Sequence, residues 1–132
     1  YGVGIEIDKT KEFICDIMPE FDKYVSRADS AEPKTISYLQ RNGLPRMEGV
    51  KKWPNSIAEG IRFIRGFNSV IIHPQCKGSA EDFRLYSHKT DKLSGDILPD
   101  IQDSNNHSPD AVRYALAPLI KAQSSGKMVI RI

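Results

Sequence analysis

The sequence predicts an α/β domain, on three observations. Apolar runs at Tyr24–Ala28, Leu44–Val50 and Ser69–His73 are separated each time by one stretch of helical periodicity. Strand-helix-strand units of that length make parallel pairs with crossover helices. A chain of 132 residues, 39% apolar and 27% charged, is one ordinary globular domain with a proper core.

Each element has a local reason. Between Asp8 and Met18, the residues Phe13, Ile14, Ile17 and Met18 fall on one helical face. Tyr24–Ala28 is the first strand. Pro33 suits a first helical turn, and the helix runs through Ile36 and Leu39 to stop at Asn42-Gly43. Leu44–Val50 is the second strand, weakened by Pro45. Ser56 and Glu59 have the spacing of a capping box, opening a helix with Ile57, Ile61 and Ile64 on one face. Ser69–His73, ended by Pro74, is the best strand signal. A helix near Ser79–Tyr86 follows, then a hairpin of Leu85–Thr90 and Asp96–Leu98 across Leu93-Ser94-Gly95. Ser108-Pro109 reads as an N-cap and first helical residue. That helix runs to about Lys121, with Pro118 expected to bend or shorten it, and Met128–Ile132 reads as a last strand.

Charge excludes little. The net charge of +2 is too small to imply nucleic acid by itself. No apolar run approaches the roughly 18 residues of a membrane helix. The two cysteines, Cys15 and Cys76, lack metal spacing and read as a reduced pair. Tyr1 is not Met, and Tyr-Gly-Val-Gly reads as the middle of a longer chain.

Two places attract chemistry. In open α/β sheets, sites lie beyond the carboxyl ends of strands, and there Asp29 ends the first strand. A solvated or helix-capping Asp29 is the simpler reading; a carboxylate aimed over the sheet edge is the functional one. Farther on, His107 and Asp110 stand three apart at a helix start, on one side of one turn. Helix-start chemistry accounts for Ser108 and Asp110 but not for His107 beside two asparagines. Lys51, Lys52 and Trp53 form the one compact basic cluster beside an aromatic, either a solvated loop or a phosphate contact.

Taken in order, three blocks resemble one family. They are Ala28-Asp29-Ser30-Ala31-Glu32-Pro33-Lys34-Thr35-Ile36; Gly49-Val50-Lys51-Lys52 with Ser56-Ile57 and Gly60-Ile61; and Asn105-Asn106-His107-x-x-Asp110-Ala111-x-Arg113-Tyr114. They resemble the C-terminal nuclease domain of the large terminase subunit of tailed bacteriophages, over roughly residues 1 to 122. The resemblance implies a ribonuclease H-like fold, a mixed sheet flanked by helices, here missing its first strands. Residues 1–132 would be a single, partial nuclease domain, with the upstream strands and an ATPase domain outside it. The implied activity is a metal-dependent endonuclease that cuts concatemeric viral DNA during genome packaging.

The resemblance also implies a site. Asp29, His107 and Asp110 would be the catalytic and metal-binding residues, with Glu32 an auxiliary ligand or a helix cap. The metal would be Mg2+ or Mn2+, two ions in the intact domain, each needing carboxylates to hold it. Asp29 and Asp110 are then expected to converge, with carboxylates about 4–8 Å apart. The family's acidic residue on the first strand has no counterpart here, so this chain alone is expected to cut weakly or not at all. Lys51, Lys52 and Arg84 would contact DNA; Arg113, three residues after Asp110, pairs with it or with a phosphate, pairing being the simpler reading. The implied partners are double-stranded DNA, the ATPase domain, the small terminase subunit and the portal, in the cytoplasm of the bacterial host, with no membrane. An open sheet edge would invite pairing with another chain. Two other readings stand beside this one. One is a non-catalytic DNA-binding or motor-coupling module, as in a prophage remnant. The other is an α/β module for a phosphorylated ligand, for which Gly2-Val-Gly4 lacks the rest of the fingerprint.

Overall fold

The computed structural model describes residues 2–90, 92–95, 97–101 and 104–124. A 3-10 turn, Ile7–Lys9, leads into α1, Thr10–Ile17, and a second turn, Phe21–Lys23, precedes strand β1, Ser26–Ala28. Helix α2 spans Pro33–Arg41 with proline at its start, where a missing N–H costs nothing. It ends where expected. The Asn42 amide donates to the Tyr38 carbonyl, and Gly43 takes a φ of +104°, which a side chain would disfavour. The chain then turns into β2, Met47–Gly49.

Strands β1 and β2 pair in parallel, Ser26 opposite Met47 and Ala28 opposite Gly49. Alternation gives this small sheet two different faces. One face carries Ala28 and Met47 and packs under α2, where Ile36, Leu39, Leu44 and Met47 form a buried cluster backed by Ile14 and Phe21. Leu44 is only 1% exposed, and burying a leucine that fully stabilises by about 2 kcal/mol. The other face carries Arg27 and Glu48, which pair at 2.9 Å, and Arg27 Nη1 also donates to the Ala115 carbonyl.

Ala115 belongs to α5, His107–Ser124, the longest helix. Pro118 lies inside it without ending it. Its apolar side, Ala117 and Ile120, is buried. Helices α3, Ser56–Arg65, and α4, Lys77–Leu85, both pack on α5. Strands β3, His88–Thr90, and β4, Ile97–Ile101, form the expected antiparallel hairpin, with Gly95 at positive φ in the connection. The expected strand Met128–Ile132 lies outside the described residues, as do the side chains of His88 and Lys89.

Two sequence expectations are corrected. Ser69–His73 is not a strand; Ile71 is 90% exposed, and among the described residues no strand pairs with it. β-propensity means only that a segment fits a pleated surface, and a strand also needs a partner. The capping box does not form either. The cap of α3 is Asn55, at φ +65° with no side-chain bond, and Ser56 is already helical. Glu59 turns away, accepting from Trp53 Nε1 at 2.7 Å and from Ser124 Oγ at 2.8 Å, and these bonds hold its carboxyl below the usual range.

Candidate functional site

The site grows from the carboxyl end of β1. The ladder continues one bond past the strands, with Val50 N donating to the Ala28 carbonyl at 2.9 Å. This bond carries Lys51 and Lys52 alongside Asp29. Asp29 Oδ1 accepts from the backbone N–H of Ala31 at 3.0 Å, a local turn that aims the side chain. The same oxygen lies 2.8 Å from Lys52 Nζ. The other oxygen, Oδ2, accepts from the Tyr114 hydroxyl at 2.9 Å, across 85 positions of chain. The Lys52 ammonium beside it, with the Ala31 and Tyr114 bonds, holds the Asp29 carboxyl below its ordinary range against a smaller opposing effect of burial.

Helix α5 supplies the second half. Asp110 is four residues before Tyr114, hence on the same helix face one turn earlier. Tyr114 therefore links Asp29 to the turn of α5 that carries Asp110. Burial, the bond to Asp29 and the charges of Asp110 and Asp29 all push its hydroxyl pKa up. Asp110 Oδ1 pairs with Arg113 Nη2 in a pair whose side chains are 23% and 7% exposed. Arg113 is deeply set because Gly60 of α3 makes room for it. A Cβ at Gly60 would come within 2.7 Å of Arg113 Cδ. Arg113 Nε is buried and has no hydrogen bond. The Arg113 guanidinium carbon and the Lys52 ammonium both lie over the Tyr114 ring, each 5.7 Å from its centroid.

His107 opens α5, exposed and one turn before Asp110. The start of that helix is anchored by a residue the sequence reading missed. Asp82 of α4 is buried, and its Oδ2 accepts from Ser108 N at 3.0 Å and from Ser108 Oγ at 2.8 Å. A carboxylate at a helix N-terminus satisfies free N–H groups and favours the dipole, and here it comes from another helix. Ser108 is thus a donor to a cap and not itself the cap. Glu32 ends up as the residue preceding α2 and makes no side-chain cap bond.

The predicted residues divide. Asp29, Lys52 and, through Tyr114, the Asp110 turn of α5 are gathered at one end of the sheet. Lys51 lies apart from the carboxylates, along an open cleft of about 220 Å³ that Arg27, Trp53 and Lys121 also line. Arg84 is on α4, paired with Glu81 at 4.0 Å one turn before it. Among the described residues, no three His, Cys, Asp or Glu side chains converge as a ready-made metal cluster. Tyr114 had a signal in the sequence, its spacing of four from Asp110; its bond to Asp29 had none.

Comparison with known proteins then gives the family. The model of the terminase RNase H-like domain matches residues 1–118. The chain is 34% identical over 113 residues to the large terminase subunit of Bacillus phage SPP1, covering 84% of this chain and 26% of that protein. It is 30% identical over 90 residues to the PBSX phage terminase large subunit of Bacillus subtilis (strain 168), covering 68% of this chain and 20% of that one. The chain thus spans about a quarter or less of the curated relatives it matches. Among solved structures, the Mn-bound nuclease domain of the SPP1 large terminase superposes with a TM-score of 0.76 at 32% identity, over 87% of this chain and 64% of that one. The ordered blocks, the parallel pair with its flanking helices and the match over residues 1–118 agree: this chain belongs to the terminase RNase H-like domain family.

Proposed function

We propose that this domain is the metal-dependent endonuclease of a phage or prophage large terminase subunit, cutting concatemeric viral DNA during genome packaging. The observation that carries the reading is the pairing of Asp29 with the Asp110 turn of α5 through Tyr114. Asp29 bonds to Tyr114, one helical turn after Asp110, and this supports a site in which two carboxylates far apart in sequence would hold a hard divalent cation. The donor chemistry fits Mg2+ or Mn2+, held by Asp29 and Asp110 with His107 alongside. The Mn bound in the SPP1 relative supports this choice. Such an ion supplies an activated water and stabilises the leaving oxygen.

The chain's own groups do the rest. Arg113, fixed by Gly60, holds the Asp110 carboxylate in one orientation. Ala31 N–H and the Tyr114 hydroxyl do the same for Asp29. His107, exposed at the open side, accepts or returns a proton. Lys51, Lys52 and Arg84 meet backbone phosphates, which needs no base recognition. Partners in the assembled motor would be double-stranded DNA, the ATPase domain, the small subunit and the portal, in the host cytoplasm. Tyr24 and Val25, exposed beside β1, support pairing of that edge with another strand.

Plasmid relaxation by a large subunit carrying this domain tests the reading. Cleavage is expected with Mg2+ or Mn2+, with little sequence preference, and none in excess EDTA. Cleavage that persists in EDTA rejects the metal role. The absence of a ready-made three-residue cluster among the described residues favours a second reading, a DNA-binding module without catalysis. Under it, DNA is bound but never cut at any metal concentration.

Binding itself has an expected salt dependence. Neutralising about three phosphates, by Lys51, Lys52 and Arg84, gives a slope of log K against log salt near −2.7. Fluorescence anisotropy between low and moderate salt measures it, and a flat profile removes the phosphate contacts.

A further inference from the structure

The two carboxylates each carry a cation of their own, and the two cations are held differently. Arg113 is buried, its side chain 7% exposed and walled in by Gly60. Its stem packs against Gly60 of α3, which holds it in place beside Asp110. Lys52 is held by little. Its side chain is 51% exposed, it follows β2 on a loop, and its contacts are Asp29 Oδ1 and the face of Tyr114. The ring offers the ammonium an attractive surface away from the carboxylate.

A divalent ion binds carboxylate oxygen at about 2.0–2.1 Å for Mg2+. An ammonium 2.8 Å from that same oxygen occupies the approach and repels the ion. We propose that Lys52 is a built-in counter-ion of the site, which a divalent cation displaces from Asp29, the freed ammonium moving toward the Tyr114 face and the incoming DNA phosphate. The site is then closed by a monovalent cation when metal-free and becomes receptive to DNA when loaded. This rests on the reading of Asp29 as a metal ligand.

The test is Mn2+ binding, read from the electron paramagnetic resonance signal of free Mn2+, on this chain and on three variants. Lys52→Met is expected to bind Mn2+ about threefold to tenfold more tightly than the wild type, since an exposed ion pair is worth up to about a fivefold factor and the charge repulsion is also relieved. Lys51→Met, which removes a charge of equal sign without contact to Asp29, is expected to stay within about twofold. Asp29→Asn is expected to lose the binding. Circular dichroism checks that each variant is folded. If Asp29→Asn binds Mn2+ like the wild type, the ligand reading fails and the counter-ion with it. If Asp29→Asn loses the metal but Lys52→Met binds no tighter than wild type, Asp29 remains a ligand and the counter-ion idea alone is overturned. Equal tightening in Lys51→Met and Lys52→Met reduces the effect to net charge and also overturns it.

Discussion

Asp29→Asn in a large subunit carrying this domain is expected to lower DNA cleavage by more than about 100-fold while leaving the fold unchanged. The size follows from the metal-ligand role proposed for Asp29. Outer groups that merely orient a metal ligand are worth about 10–100-fold, so removing a ligand carboxylate costs more. The small effect on stability follows from exposure. Asp29 and Lys52 are 45% and 51% exposed at their side chains, and pairs of that kind contribute about 0–1 kcal/mol. An asparagine keeps one oxygen to accept from the Ala31 N–H, and its amide N–H can donate to the Tyr114 hydroxyl oxygen in place of accepting from it. The pH dependence has a definite sign. Lys52 and its companion hydrogen bonds depress the folded Asp29 pKa, so its modest stabilisation is present above the ordinary carboxylate range and is lost as pH falls through the depressed value. Plasmid relaxation beside thermal unfolding at neutral pH measures both. A cleaving Asp29→Asn protein would remove Asp29 from the site, and a large drop in melting temperature would turn any lost activity into a folding effect.

Asp110→Asn behaves differently, with an expected loss of about 3 kcal/mol of stability in addition to activity. Here the partner left behind is Arg113, buried, with Nε already lacking a hydrogen bond. Breaking a buried pair by removing one member costs about 3–5 kcal/mol, because the other charge stays uncompensated. Asp110 is 23% exposed, which places the effect at the lower end. For a chain of this size that is a fall of about 10 °C in melting temperature. Arg113→Met should cost less, about 1–2 kcal/mol, since methionine fills the space of the arginine stem and Asp110 keeps some solvent. The double variant should then be more stable than Asp110→Asn alone, the mark of a coupled pair. Scanning calorimetry on the four proteins decides it. Additive effects would mean that the pair does not couple, and an unchanged melting temperature in Asp110→Asn would mean that Arg113 finds solvent or another acceptor.

The difference between these two aspartates shows what the chain dictates locally and what the fold adds. Sequence alone determined the α/β class, because helical periodicity, Pro33, Asn42-Gly43 and the apolar alternation act within a turn or two of chain. It also determined the family, because ordered motifs are a linear property. It placed Asp29 at a strand end and Asp110 in a first helical turn, and the spacing of three linked Asp110 to Arg113. The tertiary structure decided the rest, wherever the partner lies far along the chain. Ser69–His73 has strand composition but, among the described residues, no strand to pair with. Glu59 has cap spacing but meets Trp53 and Ser124 instead. Lys52 stands 23 positions from Asp29 and pairs with it only because β1 and β2 run parallel. Tyr114 reaches Asp29, and Asp82 caps α5, because helix packing closes loops of tens of residues. Local propensity reads the energies of neighbouring residues in the chain; charge pairing, burial and strand partnership depend on which distant groups packing brings within a few ångströms.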